Sequence, residues 1–394
     1  MSGVILTSGK FWYTLVAMRS LGRHGIKIAC GKSHGSGMPS AFLSRYCSQH
    51  FSYPPFETQP EEFIVALCDF ANSHKEFDVL MPTASETMII SKNIDYIKSH
   101  SPQLKIPLHT YDYINLANDK QKIFELASEL RIPTPQTYYP HTAEEVLNIA
   151  KEIRYPVVIK IRLGSGGLGM NNVYSWQEMI RSYEETINKY LLDSNDFPFI
   201  QEYIPGTDYA AAALFNHGEL KAKLVFKVLQ SVPPSGGLMI SRVSVRNEQM
   251  LGYLVALARA MHWHGIIMAD FRLDERDNTP KLLDVNPRFW FSLYQGIASG
   301  VDFPYLLYRI AIDDDVESVD DYKTGIRTKY LWSYKNIPAS LLLGNKLNGV
   351  EKTKEFTKTK FEDISFTDPL PNLATLFNAI LNYARRARLA YQTN

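Results

Sequence analysis

Two short apolar runs, Ile266–Leu273 and Lys281–Asn286, flank the polar turn Glu275-Arg276-Asp277-Asn278. Runs of this length on either side of such a turn read as two paired antiparallel strands. Each carries a carboxylate in apolar company. Asp270 sits in Met268-Ala269-Asp270-Phe271, and Asp284 sits in Leu282-Leu283-Asp284-Val285-Asn286-Pro287-Arg288. Alternate side chains of a strand share a face, so Asp284, Asn286 and Arg288 are expected to point the same way, and pairing of the strands brings Asp270 to Asp284. Two carboxylates repel, and burial raises their proton affinity further. A divalent cation removes both penalties. Carboxylate and carboxamide oxygens suit Mg²⁺, and an arginine beside them grips a phosphate or carboxylate with two parallel hydrogen bonds. The hairpin therefore predicts a metal–phosphate site with Asp270, Asp284 and Asn286 as metal ligands and Arg288 on the anion.

Upstream, Val157-Val158-Ile159-Lys160 reads as a strand that delivers a lysine to the loop Gly164-Ser165-Gly166-Gly167-Leu168-Gly169. Glycines let backbone N–H groups approach phosphate oxygens, and the lysine adds a point charge. No Gly-Lys-Ser/Thr closes the loop, so it is not a Walker A motif. The chain opens with a βαβ pattern: a strand at Val4–Thr7, a helix at Phe11–Leu21 and a strand at Ile26–Cys30. This is the start of a doubly wound sheet. A third strand, Val79-Leu80-Met81, precedes a helical pattern over Thr87–Ser99. Ligands gather at the carboxyl ends of such strands. Ser8, Gly9, Lys10, Thr83 and Glu86 are therefore candidates to line a small-substrate pocket, with turn and cap roles as the competing reading.

Ile106–Tyr113 reads as a connection between domains, followed by helices at Lys120–Leu130, capped by Asp119, and Thr142–Glu152. Strands are expected at Phe199–Ile204, Ala210–Phe215 and Ala222–Val228, and a helix at Gln249–His262. Beyond Asp313 only two apolar stretches stand out, Tyr330–Leu343 and Ala374–Leu389.

Composition narrows the function classes. Lys+Arg number 42 and Asp+Glu 41, so no global basic field draws in nucleic acid; the cluster Arg385-Arg386-Ala387-Arg388 reads as a solvated helix face. Cys30, Cys47 and Cys68 lack metal or disulfide-framework spacing and point to a reducing, cytoplasmic home. No apolar run is long enough to span a bilayer, and the N-terminus reads as a strand rather than a signal peptide. The dinucleotide glycine pattern of a nicotinamide-dependent oxidoreductase is missing. His262-Trp263-His264 lacks a nearby third ligand and reads as structural.

The ordered set of Leu6-Thr7-Ser8-Gly9, Ser44-Arg45-Tyr46-Cys47, Asp119-Lys120, Pro156–Gly169, Ile200–Asp208 and Asp284–Trp290 resembles the ATP-grasp superfamily, in particular its carboxylate–amine ligases. The resemblance implies an α/β (α+β) fold. Its parts are a Rossmann-like N-terminal domain at 1–115, a small lid at 116–188, a central antiparallel-sheet subdomain with the metal site at 189–315, and a C-terminal extension at 316–394. It implies that Lys120 and Lys160 contact ATP phosphates under a lid formed by the Gly164–Gly169 loop, whose Gly164, Ser165, Gly166 and Gly167 would bind the nucleotide. Gln201 would meet the adenine amino group, the backbone of Glu202 and Ile204 the adenine edge, and Asp208 the ribose hydroxyls. Asp270, Asp284 and Asn286 would hold Mg²⁺ or Mn²⁺, and Arg288 the phosphoryl group or acyl phosphate. Arg242, after the Gly236-Gly237 pair, would meet the substrate carboxylate or the γ-phosphate. Many relatives carry glutamate where Asp270 and Asp284 stand; aspartate is one methylene shorter, which leaves the number of metal ions open. The implied partners are a small carboxylic acid and an amine, with amino acids among the candidates, and a second copy of the chain. An ATP-dependent carboxylase component and a non-catalytic ATP-binding module remain the alternatives.

Overall fold

Three sheets organise the chain in the computed structural model, which describes residues 2–164, 169–193, 196–233, 237–331 and 359–377. Ser165, Gly166 and Gly167 of the expected lid, the basic cluster at 385–388 and most of both apolar tail stretches lie outside the described residues.

The first sheet is parallel and holds the opening βαβ unit. Its elements are β1 (Gly3–Leu6), α1 (Trp12–Arg23), β2 (Ile28–Ser33), β3 (Cys47–Tyr53), α2 (Pro60–Ser73), β4 (Phe77–Met81), α3 (Glu86–Lys92) and α4 (Ile94–His100). The strand order is β3-β2-β1-β4. β1 is apolar throughout because both of its faces are covered: Val4 and Leu6 pack with α1, and Ile5 packs with α2. The helical pattern over Thr87–Ser99 is split in two. At the junction Asn93 departs from helical geometry, and its side chain donates to the Ile89 carbonyl at 2.9 Å, the local competition with helix bonding that asparagine favours.

The second sheet belongs to a smaller layer. Its region comprises α5 (Tyr111–Asn118), α6 (Lys120–Glu129), β5 (Thr137–Tyr138), α7 (Ala143–Glu152), β6 (Val157–Lys160), β7 (Asn171–Val173), α8 (Trp176–Tyr190) and β8 (Phe199–Glu202). The antiparallel order is β5-β8-β6-β7. Side-chain caps set the helix starts: Thr142 Oγ1 accepts from Glu145 N at 3.1 Å, and Ser175 Oγ from Glu178 N at 3.3 Å.

The third sheet has seven strands in the order β13-β12-β9-β10-β11-β14-β15. It is built from β9 (Gly206–Asn216), β10 (Glu219–Val232), β11 (Leu238–Ser244), β12 (Gly265–Asp274), β13 (Pro280–Asn286), β14 (Arg327–Lys329) and β15 (Thr359–Phe361), with α9 (Glu248–Ala260), α10 (Leu293–Ser299) and α11 (Phe303–Asp313) packed on it. Both faces of β9 are buried. Ala210, Ala212 and Leu214 face α1, α10 and α11, while Ala211, Ala213 and Phe215 face α9 and the α5–α6 layer. Gly206 starts β9 at φ +147°, where an added Cβ would stand 1.9 Å from the Leu273 carbonyl oxygen on β12, so only glycine fits.

The tail beyond Asp313 is partly built into this sheet. β15 lies parallel to β14, and the residues after it reach back to α1 and the segment before β3. Asp368 accepts from Arg19 Nε at 2.8 Å, Ser44 Oγ at 2.8 Å and Arg45 N at 2.9 Å. Among the described residues, no helix is long and apolar enough to cross a membrane.

Candidate active site

The expected hairpin forms from β12 and β13, and Asp270 and Asp284 are Cα partners across it. Immediately beyond this pair the register slips, because Phe271 partners Leu282. β13 thus carries one extra residue, Leu283, and such a bulge re-aims its neighbours. Leu283 and Asp284 consequently both line the same cavity. Asp270 Oδ2 accepts from Asn286 Nδ2 at 3.2 Å, whereas Oδ1 is buried without a hydrogen-bond partner. Burial, reinforced by Asp284 and Asp208, pushes the Asp270 carboxyl up to about 8 against the opposing charge of Arg288. An orphaned, buried carboxylate oxygen beside a second carboxylate is short of a cation. The all-oxygen set of Asp270, Asp284 and the Asn286 amide fits a hard divalent ion. Among the described residues no group of three or more His, Cys, Asp or Glu side chains offers a richer cage.

Basic groups close on this floor from the second sheet. Lys120 Nζ lies 3.4 Å from Asp284 Oδ1 and donates to the Gly164 carbonyl at 2.8 Å. Lys120 is placed by the start of α6. There Asp119 caps the Gln121 N–H at 3.1 Å and takes the fork of Arg162 at 2.8 and 2.7 Å. Lys160, the last residue of β6, donates to Gln201 Oε1 at 2.7 Å, and Gln201 Nε2 donates to Thr137 Oγ1 at 2.9 Å. Burial lowers the Lys160 ammonium to about 8; Asp284 opposes the shift, and Lys120 and Arg272 add to it. Val158, Ile161, Met170 and Phe271 supply apolar walls. At the far rim Asp208 pairs with Arg272 at 2.6 Å.

Lys120, Lys160, Gly164, Gln201, Glu202, Ile204, Asp208, Asp270, Asp284 and Asn286 all line this one cavity. Arg288 is half-buried just past β13 and acts on Asp270 and Tyr13 through its charge. Arg242 is placed differently from the expectation. It is fully buried, donates to the Met239 carbonyl and to Thr328 Oγ1, the latter at 3.2 Å, and is ion-paired with the equally buried Glu362. Its guanidinium is consumed by the protein because β15 carries Glu362 back beside β11.

At the first sheet, Glu86 is buried and its Oε1 accepts from Thr83 N and Ala84 N, each at 3.1 Å, and from Thr7 Oγ1. These bonds give Glu86 a turn-closing role. Trp263 is buried between the two histidines of its tripeptide, with Nε1 donating to the Ile266 carbonyl at 3.2 Å. Sequence reasoning missed Arg162, Thr137, Arg272 and Glu362. Arg272 and Arg162 had a signal, each standing two residues beyond a site residue, Asp270 and Lys160; Thr137 and Glu362 are reached only through distant chain segments.

Comparison with known proteins adds to this geometry. Residues 119–207 match the family model for the carbamoyl-phosphate synthase L chain, ATP binding domain, and residues 198–333 match the model for ATP-grasp in the biosynthetic pathway with Ter operon. The C-terminal section of the carbamoyl phosphate synthase large chain from Methanocaldococcus jannaschii is 25% identical over 258 residues; the match covers 61% of this chain and only 40% of the length of that relative. The biotin carboxylase domain of 2-oxoglutarate carboxylase from Hydrogenobacter thermophilus superposes with a TM-score of 0.65 at 17% identity, covering 83% of this chain and 73% of that one. The L-amino acid ligase from Bacillus licheniformis gives 0.63 at 15% identity, covering 83% and 79%. At these identities the structures attest the fold alone. The two overlapping family models run from the cap of α6 past β14, through every residue of the cavity, and on that basis the chain carries an ATP-grasp domain.

Proposed function

We propose that this protein is an ATP-dependent ligase that activates a carboxylic acid as its acyl phosphate and passes the acyl group to an amine. The observation that carries the reading is the meeting of Lys120 and Lys160 with Asp270, Asp284 and Asn286 around one cavity. Gln201, Glu202 and Ile204 lie along the same cavity, where a purine edge would find an amide and peptide groups. Lys160 and Lys120 would sit on the phosphate oxygens, in place of the Gln201 and Gly164 contacts they make now. Asp270, Asp284 and Asn286 would hold Mg²⁺ or Mn²⁺, which neutralises charge on the transferring phosphoryl group.

The acid's carboxylate oxygen attacks the γ-phosphorus, the bond to the β-bridging oxygen breaks, and ADP leaves. The amine nitrogen then attacks the acyl carbon, phosphate leaves with the carbon–oxygen bond electrons, and the nitrogen releases a proton. This chemistry asks for positioning and charge neutralisation rather than a protein nucleophile. Arg288, beside Asp270, would steady the acyl phosphate. A coupled ADP-release screen of paired acids and amines, with mass spectrometry of the product, tests the proposal. Amine-dependent product with ADP supports it, and loss of turnover in Lys160→Ala and Asp284→Ala assigns it to this cavity. Normal turnover in both variants overturns the assignment.

A second reading takes bicarbonate as the activated acid. It is favoured by the relatives themselves, since one is a carbamoyl phosphate synthase large chain and another was solved with MgADP and bicarbonate. Bicarbonate-dependent ADP release without any amine selects this reading over the first.

A further inference from the structure

Arg272 stands two residues beyond Asp270 on β12 and directly across the ladder from Asp208 on β9. Its Nε donates to Asp208 Oδ1 at 2.6 Å, and its Nη1 donates to the Ile204 carbonyl at 3.3 Å. The guanidinium carbon lies 5.7 Å from the centroid of the Tyr203 ring. The two charged side chains are only 15% and 23% exposed, and both line the cavity. Arg272 thus spans the turn Pro205-Gly206-Thr207, tying the backbone on one side of it to the carboxylate on the other.

This arrangement has a consequence for ligand choice. Ile204 belongs to the rim where a base edge would lie, and Asp208 to the rim where a sugar would lie. One planar fork fixes the distance between them. It takes one carboxylate oxygen of Asp208, while Oδ2 accepts no hydrogen bond among the described residues. A carboxylate pinned by one oxygen offers the other in a single orientation, which suits a donor hydroxyl of a vicinal diol. Charge-assisted bonds of this kind are short and directional.

We infer that Arg272 is the positioning residue that makes the cavity select ribonucleoside over 2′-deoxyribonucleoside triphosphates, by pinning Asp208 against Ile204. The inference rests on the reading of the cavity as an ATP site. Without Arg272 the Asp208 side chain rotates freely and meets either sugar equally well.

Calorimetric binding of ATP and of 2′-deoxy-ATP to the full chain in Mg²⁺, for the unaltered protein, Arg272→Ala, Arg272→Lys and Asp208→Asn, tests it. The unaltered protein is expected to prefer ATP by about tenfold, the worth of one good hydrogen bond. In Arg272→Ala and Asp208→Asn the preference falls to within about twofold, through weaker ATP binding with 2′-deoxy-ATP little changed. Arg272→Lys keeps an intermediate preference because a single ammonium still reaches one oxygen. An undiminished preference in Arg272→Ala overturns the inference, as does equal weakening of both nucleotides in Arg272→Ala and Arg272→Lys. Failure of the unaltered protein to bind either nucleotide overturns the ATP-site reading itself, so the two failures are told apart.

Discussion

Asp270 and Asp284 face each other as Cα partners on adjacent antiparallel strands, and one of the four carboxylate oxygens, Asp270 Oδ1, is buried without a hydrogen bond. Like charges opposed across a ladder destabilise a sheet. The pair therefore weakens the free protein once both carboxyls are ionised, a cost that a bound cation removes.

The folded Asp270 carboxyl is raised from 3.8 to about 8, chiefly by burial. Between these values the folded protein holds a proton that the unfolded chain has released, so the metal-free fold loses stability as pH rises through that window. Thermal melts in chelator should fall from pH 5 to pH 8, and Asp270→Asn should flatten the profile. Saturating Mg²⁺ should raise the melting temperature of the unaltered protein most at the upper end of that range, through preferential binding to the native state. A chelated protein as stable at pH 8 as at pH 5 contradicts the prediction.

Thr137 holds the amide of Gln201 with its oxygen toward Lys160. Thr137→Val removes that hold with little change in volume. The KM for ATP should rise about three- to tenfold with kcat nearly unchanged, the pattern of lost ground-state binding. A fall in kcat at constant KM would instead place Thr137 in the transition state.

Asp119 joins the cap of α6 to the Arg162 fork and so places Lys120. Asp119→Asn keeps a capping oxygen but loses the ion pair, whereas Asp119→Ala loses both. The alanine variant should be about 1 kcal/mol less stable than the asparagine variant, the usual worth of a cap. Both should lose ADP release. Urea titration and the coupled assay separate the two effects.

Arg242 and Glu362 form an ion pair sealed from solvent on both sides. Arg242→Met alone strands a buried carboxylate and should cost about 3–5 kcal/mol in urea titration, while Arg242→Met with Glu362→Leu should recover most of the loss. Equal destabilisation in the single and double variants would show that the pair matters through something other than its charges.

How much of this was legible in the sequence follows from how each residue reaches the site. Asp270, Asp284 and Asn286 were readable because one tight turn joins their strands and the apolar flanks fix the pairing. The bulge at Leu283 was not, since nothing local marks a one-residue slip. Lys160 and Gln201 could be placed on strands by their apolar neighbours, but their mutual hydrogen bond depends on β6 pairing with β8. Strand β3 escaped notice because most of it is solvent-facing and carries Ser48, Gln49 and His50 rather than an alternating apolar pattern. Arg242 was assigned to substrate for want of its partner, which arrives 120 residues later; no local pattern ties a strand arginine to a glutamate so far downstream.

The ties made by Glu362 and Asp368 also bear on how the chain is made. Trp12 and Arg19, in the first helix, find these acceptors 350 and 349 residues further on. During synthesis from the N-terminus, Arg19 must therefore wait for an acceptor that is made 349 residues later. The opening βαβ unit is thus locked only after the strands of the other two sheets have been made.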